Sequence, residues 1–293
     1  MPLEPRGPMR WGVEKRLEFI EFRLFWEGGI NRADIIEKFG VSVPQASKDL
    51  SLYEEKAPGN LAYDKRQRRY FPAPGFKPAF LKPEADQYLT QLRSVSDYVV
   101  PADETWLSDP PETDAMPIPH RRVEVDVLRG VLTAVRKHRA IEILYQSMNP
   151  TRPAPEWRWI TPHAFGNDGM RWHVRAYCHI DAKFKDFLLS RCLKARGDAA
   201  PAAAPENDTF WHEVFEVALA PNPVLSDNQQ AVVAQDYDMT DGRVSVPVRK
   251  ALLYYFQKRL RLDAVRAVDG PQETPVVIAN REEFAGALAE AMA

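Results

Sequence analysis

Residues 31–53 read NRADIIEKFGVSVPQASKDLSLY, and this stretch decides the fold of the front of the chain. Asn31 is a good helix N-cap, and Asp34 falls in the first turn, where the helix dipole favours an acid. Ile35, Ile36 and Phe39 supply the apolar residues and Gly40 the stop. After the short turn Gly40-Val41-Ser42, Ser42 opens a second helix with Gln45 three residues on, a capping-box spacing. Ala46, Leu50 and Tyr53 make its inward stripe, which leaves Gln45, Ser47, Lys48 and Ser51 facing out. Upstream, Val13, Leu17, Ile20 and Leu24 repeat on one helical face that ends before Gly28-Gly29. Downstream of Pro58-Gly59, LAYDKRQRRYF (61–71) predicts a hairpin with Lys65, Arg66, Arg68 and Arg69 around its tip. Three helices and a basic hairpin within residues 1–80 are the pattern of a winged helix-turn-helix.

That pattern has a physical use. A short turn sets the two helices at a steep angle, so the third can enter a DNA major groove while the second braces it. Small and polar side chains at its N-terminal end (Ser42, Gln45, Ser47) allow close approach to base edges, and Lys48 and Ser51 continue the face. Four cations within five residues would lie over phosphates and supply sequence-independent affinity. A solvated hairpin tip carries the same charge run, so position after the helix trio is what favours double-stranded DNA. The charge balance agrees mildly: residues 1–80 hold 14 Lys/Arg against 11 Asp/Glu, within a chain of net charge −2.

At 293 residues the chain has room for two or three domains. Hydrophobic residues at 45% and charged residues at 27% exclude wholesale disorder. No run approaches the roughly 18 apolar residues of a membrane span. Residues 1–10 (MPLEPRGPMR) lack the apolar core of a signal peptide. Two cysteines, Cys178 and Cys192, cannot build a disulfide framework, which fits a cytoplasmic protein.

Two segments read as connectors. Residues 100–120 are Pro-rich and acidic, without Lys or Arg, and so form neither regular helix nor central strand. Residues 197–209 are small and Pro-rich, a linker composition with nothing to bury. The predicted units are therefore 1–80, a helical bridge at 81–138, a middle unit at 139–196, the 197–209 linker and a C-terminal unit at 210–293. In the bridge, Tyr88, Leu89, Leu92 and Val95 share one helical face; Val127, Leu128, Val131, Leu132 and Val135 share another. The middle unit changes period to two. Ile141, Ile143 and Tyr145 alternate with polar residues, and Asn167-Asp168-Gly169 carries turn chemistry. Strand 171–178 sets Trp172, Val174, Ala176 and Cys178 against His173, Arg175 and Tyr177; strand 184–192 sets Phe187, Leu189 and Arg191 against Leu188 and Ser190. Five or six short strands predict a curled sheet or small barrel. From 212 onward the order strand, helix, strand, helix, strand, helix predicts a small sheet covered by helices. The fold class is α+β and multidomain.

The run from Ile141 to Cys192 resembles the WYL domain of bacterial transcription regulators. The matching positions are Tyr145, Pro162-His163, Trp172 and Phe187…Ser190-Arg191; the naming triplet stands here as Trp172-His173-Val174. The resemblance implies an Sm-like barrel between a winged helix and a C-terminal α/β extension, and so covers nearly the whole chain. The layout looks most like WYL repressors that control anti-phage operons of the CBASS and BREX type. It implies a homodimer that represses transcription from an inverted-repeat operator, with the barrel sensing a nucleic-acid or nucleotide signal.

The residues offer a basis for such a sensor. Arg175 and Arg191 present planar forks suited to phosphate, near His163 and the hydroxyls of Tyr145 and Ser147. Trp172 could stack on a base or belong to the core. Arg175 and Arg191 equally suit structural ion pairs with Asp186 or Glu142, and His163 a half-buried structural role. Two symmetric third helices would require half-sites one helical turn, or a multiple, apart. Signal binding would then favour a conformer with mis-spaced helices.

Two rivals differ in class. Cys178-His179, His173 and Cys192 invite thiol or metal chemistry, but zinc sites commonly use close Cys-x2–4-Cys or His-x3–5-His pairs, and this chain has no such Cys pair. Neighbouring strand residues also point to opposite faces. The sequence therefore argues against catalysis and names no cofactor or metal. The other rival is a single-stranded nucleic-acid-binding module without promoter function, in which the helices serve protein contacts.

Overall fold

The structure is a computed structural model that describes residues 11–262, 271 and 274–292. Residues 1–10, discussed above for signal-peptide character, lie outside the described residues. The chain divides into two compact units, 1–117 and 118–293.

The first unit opens with α1 (Trp11–Glu27), which buries Leu17, Phe19, Ile20 and Leu24. Helix α2 (Arg32–Phe39) begins with a complete capping box. Asn31 Oδ1 accepts from the Asp34 N–H at 3.1 Å, and the Asp34 carboxylate accepts from the Asn31 N–H at 2.8 Å. Gly40 ends the helix at φ +62°, a left-handed position that suits a residue without Cβ. Helix α3 (Val43–Lys56) then buries Ala46, Leu50 and Tyr53 against α1, as the stripe predicts. Strands β1 (Leu61–Asp64) and β2 (Arg69–Pro72) pair antiparallel to form the wing. Ile30 adds a bridge to it through two 2.8 Å backbone hydrogen bonds with Tyr70.

Helix α4 (Ala85–Ser96) packs Leu92 with Phe22, Leu81 and Leu107. Leu89, expected on that face, is 57% exposed. It sits one residue, about 100° of rotation, past Tyr88 and off the line of Tyr88, Leu92 and Val95. The segment before α4 is fastened by a residue the sequence did not flag. The fully buried Glu21 carboxylate accepts from the N–H groups of Ala79 (2.7 Å), Phe80 (2.6 Å) and Leu81 (2.6 Å), and from the Tyr53 hydroxyl (3.0 Å).

In the second unit, α5 (Val125–Lys137) lays Val127, Val131 and Ala134 on a five-stranded antiparallel sheet. Its strands are β3 (Ala140–Tyr145), β4 (Glu156–Asn167), β5 (Trp172–Cys178), β6 (Lys183–Leu188) and β7 (Cys192–Ala199), in the order β6-β5-β4-β3-β7. Bulges in the β3–β7 and β4–β5 pairings bend it, and Ile143, Ile160, Val174, Ala176 and Phe187 fill the interior. The predicted single strand 184–192 breaks at Leu188. A 3-10 turn, Leu189–Arg191, carries the chain from one sheet edge to the other, so the alternation of Leu189, Ser190 and Arg191 does not hold. That corner is what closes the curl.

The remaining elements are α6 (Thr209–His212), β8 (Val214–Pro221), α7 (Asp227–Asp236), β9 (Val244–Arg249), α8 (Leu253–Arg259), β10 (Val276–Ile278) and α9 (Arg281–Met292). Their sheet runs β10-β8-β9, antiparallel throughout, over a core that includes Val217, Leu219, Leu253 and Phe284. Among the described residues no helix is long and apolar enough to cross a membrane.

Candidate nucleic-acid interface

The outward face of α3 is built as its periodicity predicts, with one correction. Ser42 Oγ accepts from the Gln45 N–H at 3.4 Å, but the Gln45 side chain does not return to the cap. Its Nε2 donates instead to Asp49 Oδ1 at 2.9 Å, one turn along the same helix. Asp49 is in turn gripped by Arg16 of α1, through Nε at 2.6 Å and Nη2 at 3.1 Å. The charged acceptor outcompetes the cap. Ser42, Lys48 and Ser51 are exposed, and Gln45 and Ser47 half-buried. Ser47 Oγ lies 3.3 Å from the guanidinium of Arg32, a cation that periodicity alone did not select. Its signal was its place, first residue of α2 beside the α3 face.

The four wing cations divide. Lys65, Arg66 and Arg68 are exposed and make no ion pair among the described residues. The backbone at Arg66 and Gln67 donates to the Asp64 carboxylate (2.7 and 3.1 Å), which shapes the tip and leaves those side chains outward. Arg69 is different. It is half-buried, its Nη2 donates to Gly29 O at 2.7 Å, and it fills the space where a Cβ on Gly29 would fall. It fastens the wing to the end of α1, so the cationic tip has three members rather than four.

The residues considered for a sensor do not gather into one open site. Arg175 on β5 donates to both oxygens of Asp208, from Nε (2.7 Å) and Nη2 (3.0 Å), and reaches Asp186 from Nη1 at 3.4 Å. His163 Nε2 shares Asp208 Oδ2 at 2.9 Å. The ion-pair alternative therefore describes Arg175, with Asp208 as the partner that sequence reasoning missed. Asp208 is 1% exposed and also caps α6, so the 197–209 stretch does bury a side chain. An Asp directly before Thr209-Phe210-Trp211 is an N-cap signal that could have marked it. Burial alone would raise its carboxyl, but hydrogen bonds from His163 and Arg175 and their charge bring it down to about 2. Asp186 goes the other way: burial pushes its carboxyl up despite Arg175 and His173 nearby. His173, 3% exposed, lies 3.1 Å from Asp168, and the Tyr255 hydroxyl donates to Asp186 at 3.2 Å.

Tyr145 is a core residue. Its ring packs edge-on against Phe187 at 5.1 Å, and its hydroxyl accepts from the Leu188 N–H at 3.4 Å across the barrel corner. Ser147 Oγ accepts from the Asn149 N–H at 3.1 Å and organises the turn after β3. Trp172 is 57% exposed, because strand β5 begins there and its side chain projects past the core. Arg191 is half-buried beside the Tyr145 hydroxyl; Glu142, one partner considered for it, pairs with Arg196 at 2.7 Å. Both thiols are packed: Cys178 Sγ lies 3.4 Å from Asp181, and burial pushes the Cys192 thiol up to about 12.

Three family models match the chain. The BrxR transcriptional regulator winged helix-turn-helix domain matches residues 12–94, the WYL domain residues 126–196, and the BrxR transcriptional regulator C-terminal dimerization domain residues 214–284. The DNA-binding transcriptional repressor CapW of Stenotrophomonas maltophilia is 40% identical over 276 residues, which are 94% of this chain and 92% of that protein. The protein of the same name from Pseudomonas aeruginosa is 38% identical over 281 residues, 95% of this chain and 93% of its own. A solved structure of proteasome accessory factor B/C of Arthrobacter aurescens aligns over 94% of this chain and 46% of its own at 15% identity and TM-score 0.29, too loose a superposition to argue from. With the winged helix, the WYL domain and the C-terminal domain matched in order, and relatives of this identity spanning nearly the full chain, this protein belongs to the CapW/BrxR family of WYL-domain transcriptional regulators.

Proposed function

We propose that the chain is a DNA-binding transcriptional repressor that grips a double-stranded operator as a homodimer. The observation that carries this reading is the pairing, on one small domain, of a polar α3 face with a wing tip whose exposed Lys65, Arg66 and Arg68 make no ion pair among the described residues. Ser42, Gln45, Ser47, Lys48 and Ser51 face the groove, and the wing cations lie on phosphates. The C-terminal segment 214–284, matched by a dimerization-domain model, supplies the second copy and hence an inverted repeat. Relatives named DNA-binding transcriptional repressor support the same reading.

The finer reading is a cytoplasmic repressor of an anti-phage defence operon, whose barrel senses a nucleic-acid or nucleotide signal. The working units are those at 1–80, 81–138, 139–196 and 210–293. Arg191 is the cleaner probe of the sensor, because Arg175 already holds Asp208 and its removal would disturb the fold. Arg191→Ala should keep operator binding and lose induction; normal induction would remove Arg191 from the sensor.

The deciding experiment is a mobility shift with the duplex upstream of the chain's own gene, titrated with salt. Binding that weakens steeply as salt rises is expected. Tight binding to single strands alone would overturn the proposal in favour of a single-stranded nucleic-acid-binding module.

A further inference from the structure

We propose that Gln45 reads an adenine in each half-site of the operator, its amide held the right way round by Asp49 and Arg16; this rests on the operator-binding reading above. Gln45 stands in the first turn of α3, the part of a recognition helix that meets base edges. A free glutamine amide can present either end to a base, and so discriminates poorly. Here the choice is made in advance. Asp49 offers only acceptors, so the end of Gln45 that meets it at 2.9 Å must be the NH2 group.

The Asp49 carboxylate cannot turn away, because both of its oxygens are held by Arg16 (2.6 and 3.1 Å) from another helix. Arg16 is itself anchored, its Nη1 donating to Gly12 O at 2.9 Å. Asp49 is buried and Arg16 half-buried, with side chains 2% and 13% exposed, and both act as positioning residues. Among the described residues, what remains free on the Gln45 side chain is the carbonyl oxygen and the second N–H. An acceptor beside a donor is the complement of adenine N6–H and N7 in the major groove. Guanine presents two acceptors at the same edge, so one of its contacts would become a repulsion. Cytosine and thymine lack the paired donor and acceptor.

The test is selection of duplexes with a randomised core by the full-length chain, followed by affinity measurements on single-base variants. The wild type should select one adenine column per half-site, and replacing that adenine should weaken binding by about 10- to 100-fold. Gln45→Ala should flatten the column while leaving the salt dependence of binding unchanged. Gln45→Arg should convert it to guanine, the base an arginine fork prefers. Asp49→Asn should soften the adenine preference without abolishing duplex binding, because an asparagine can meet either end of the Gln45 amide. Should that buried variant fail to fold, the two half-exposed Gln45 variants decide. A selected half-site with no column dependent on residue 45 would overturn the proposal and leave the operator reading standing. Selection of no duplex at all would sink both.

Discussion

The wing tip and the cluster around Arg175 look alike as strings of letters, each a set of cations among aromatic and polar neighbours. In three dimensions they have opposite fates. Lys65, Arg66 and Arg68 stand in solvent with no ion-pair partner among the described residues. Arg175, 7% exposed, has its fork filled by Asp208 and Asp186, and His163 shares the same carboxylate. A cation left unmatched on a surface is available to a polyanion. One matched in the interior has become part of the fold, because a buried charge without its partner costs several kcal/mol. What separates the two is the distribution of carboxylates, not of arginines.

The contrast can be broken at either end. The largest effect is expected from Lys65→Ala, Arg66→Ala and Arg68→Ala combined. Duplex binding should fall by orders of magnitude, and the slope of log affinity against log salt should flatten by about one for each phosphate contact removed. Fluorescence anisotropy at several salt concentrations reads both. Arg69→Ala is the comparison: it should change the slope less and instead lower stability by about 1–2 kcal/mol, through the lost hydrogen bond to Gly29. An equal loss of slope from Arg69→Ala would undo the division of the tip into three and one.

At the other end, Asp208→Ala removes the carboxylate that His163 meets and leaves Arg175 in the interior with Asp186 alone. A stability loss of about 3–5 kcal/mol by chemical denaturation is expected. A loss below about 1 kcal/mol would mean that the pair is not structural.

Acid should act on the same carboxylate. Its folded value of about 2 lies below the ordinary 3.8, so the unfolded chain takes up its proton first as pH falls. The contribution, on the order of 2 kcal/mol, is complete above about pH 4 and lost as pH drops through about 2. Asp208→Asn should flatten that part of the stability–pH curve. The smallest effect belongs to Trp172→Ala, which should shift stability by less than about 0.5 kcal/mol because the ring is 57% exposed.

Much of the front unit was readable from local rules. Asn31, Gly40 and Ser42 announce helix ends by chemistry that acts over three or four residues, and the stripe of Ala46, Leu50 and Tyr53 needs only a period. The barrel strands were equally visible, because Ile141, Ile143, Val174 and Ala176 bury one face. The misses share a cause. Glu21 meets Ala79, Phe80 and Leu81 about sixty positions along the chain, and no pattern within α1 distinguishes it from a solvated acid. Arg68 and Arg69 are neighbours on a hairpin, and only the Asp64↔Arg69 register together with the bridge from Ile30 decides which one turns inward. Leu189–Arg191 continues the apolar alternation of β6, yet closure of the sheet demands a corner there. For Arg175, the sequence supplied the arginine but hid its main counter-ion, Asp208, in a stretch whose composition suggested a tether.

Asp208 also caps the short helix that leads into the C-terminal sheet. Any anion that came to rest on the Arg175 fork would have to evict this carboxylate, and the same departure would uncap Thr209–His212. Occupancy at the barrel and loosening of that short helix would thus be two readings of a single swap of one oxyanion for another.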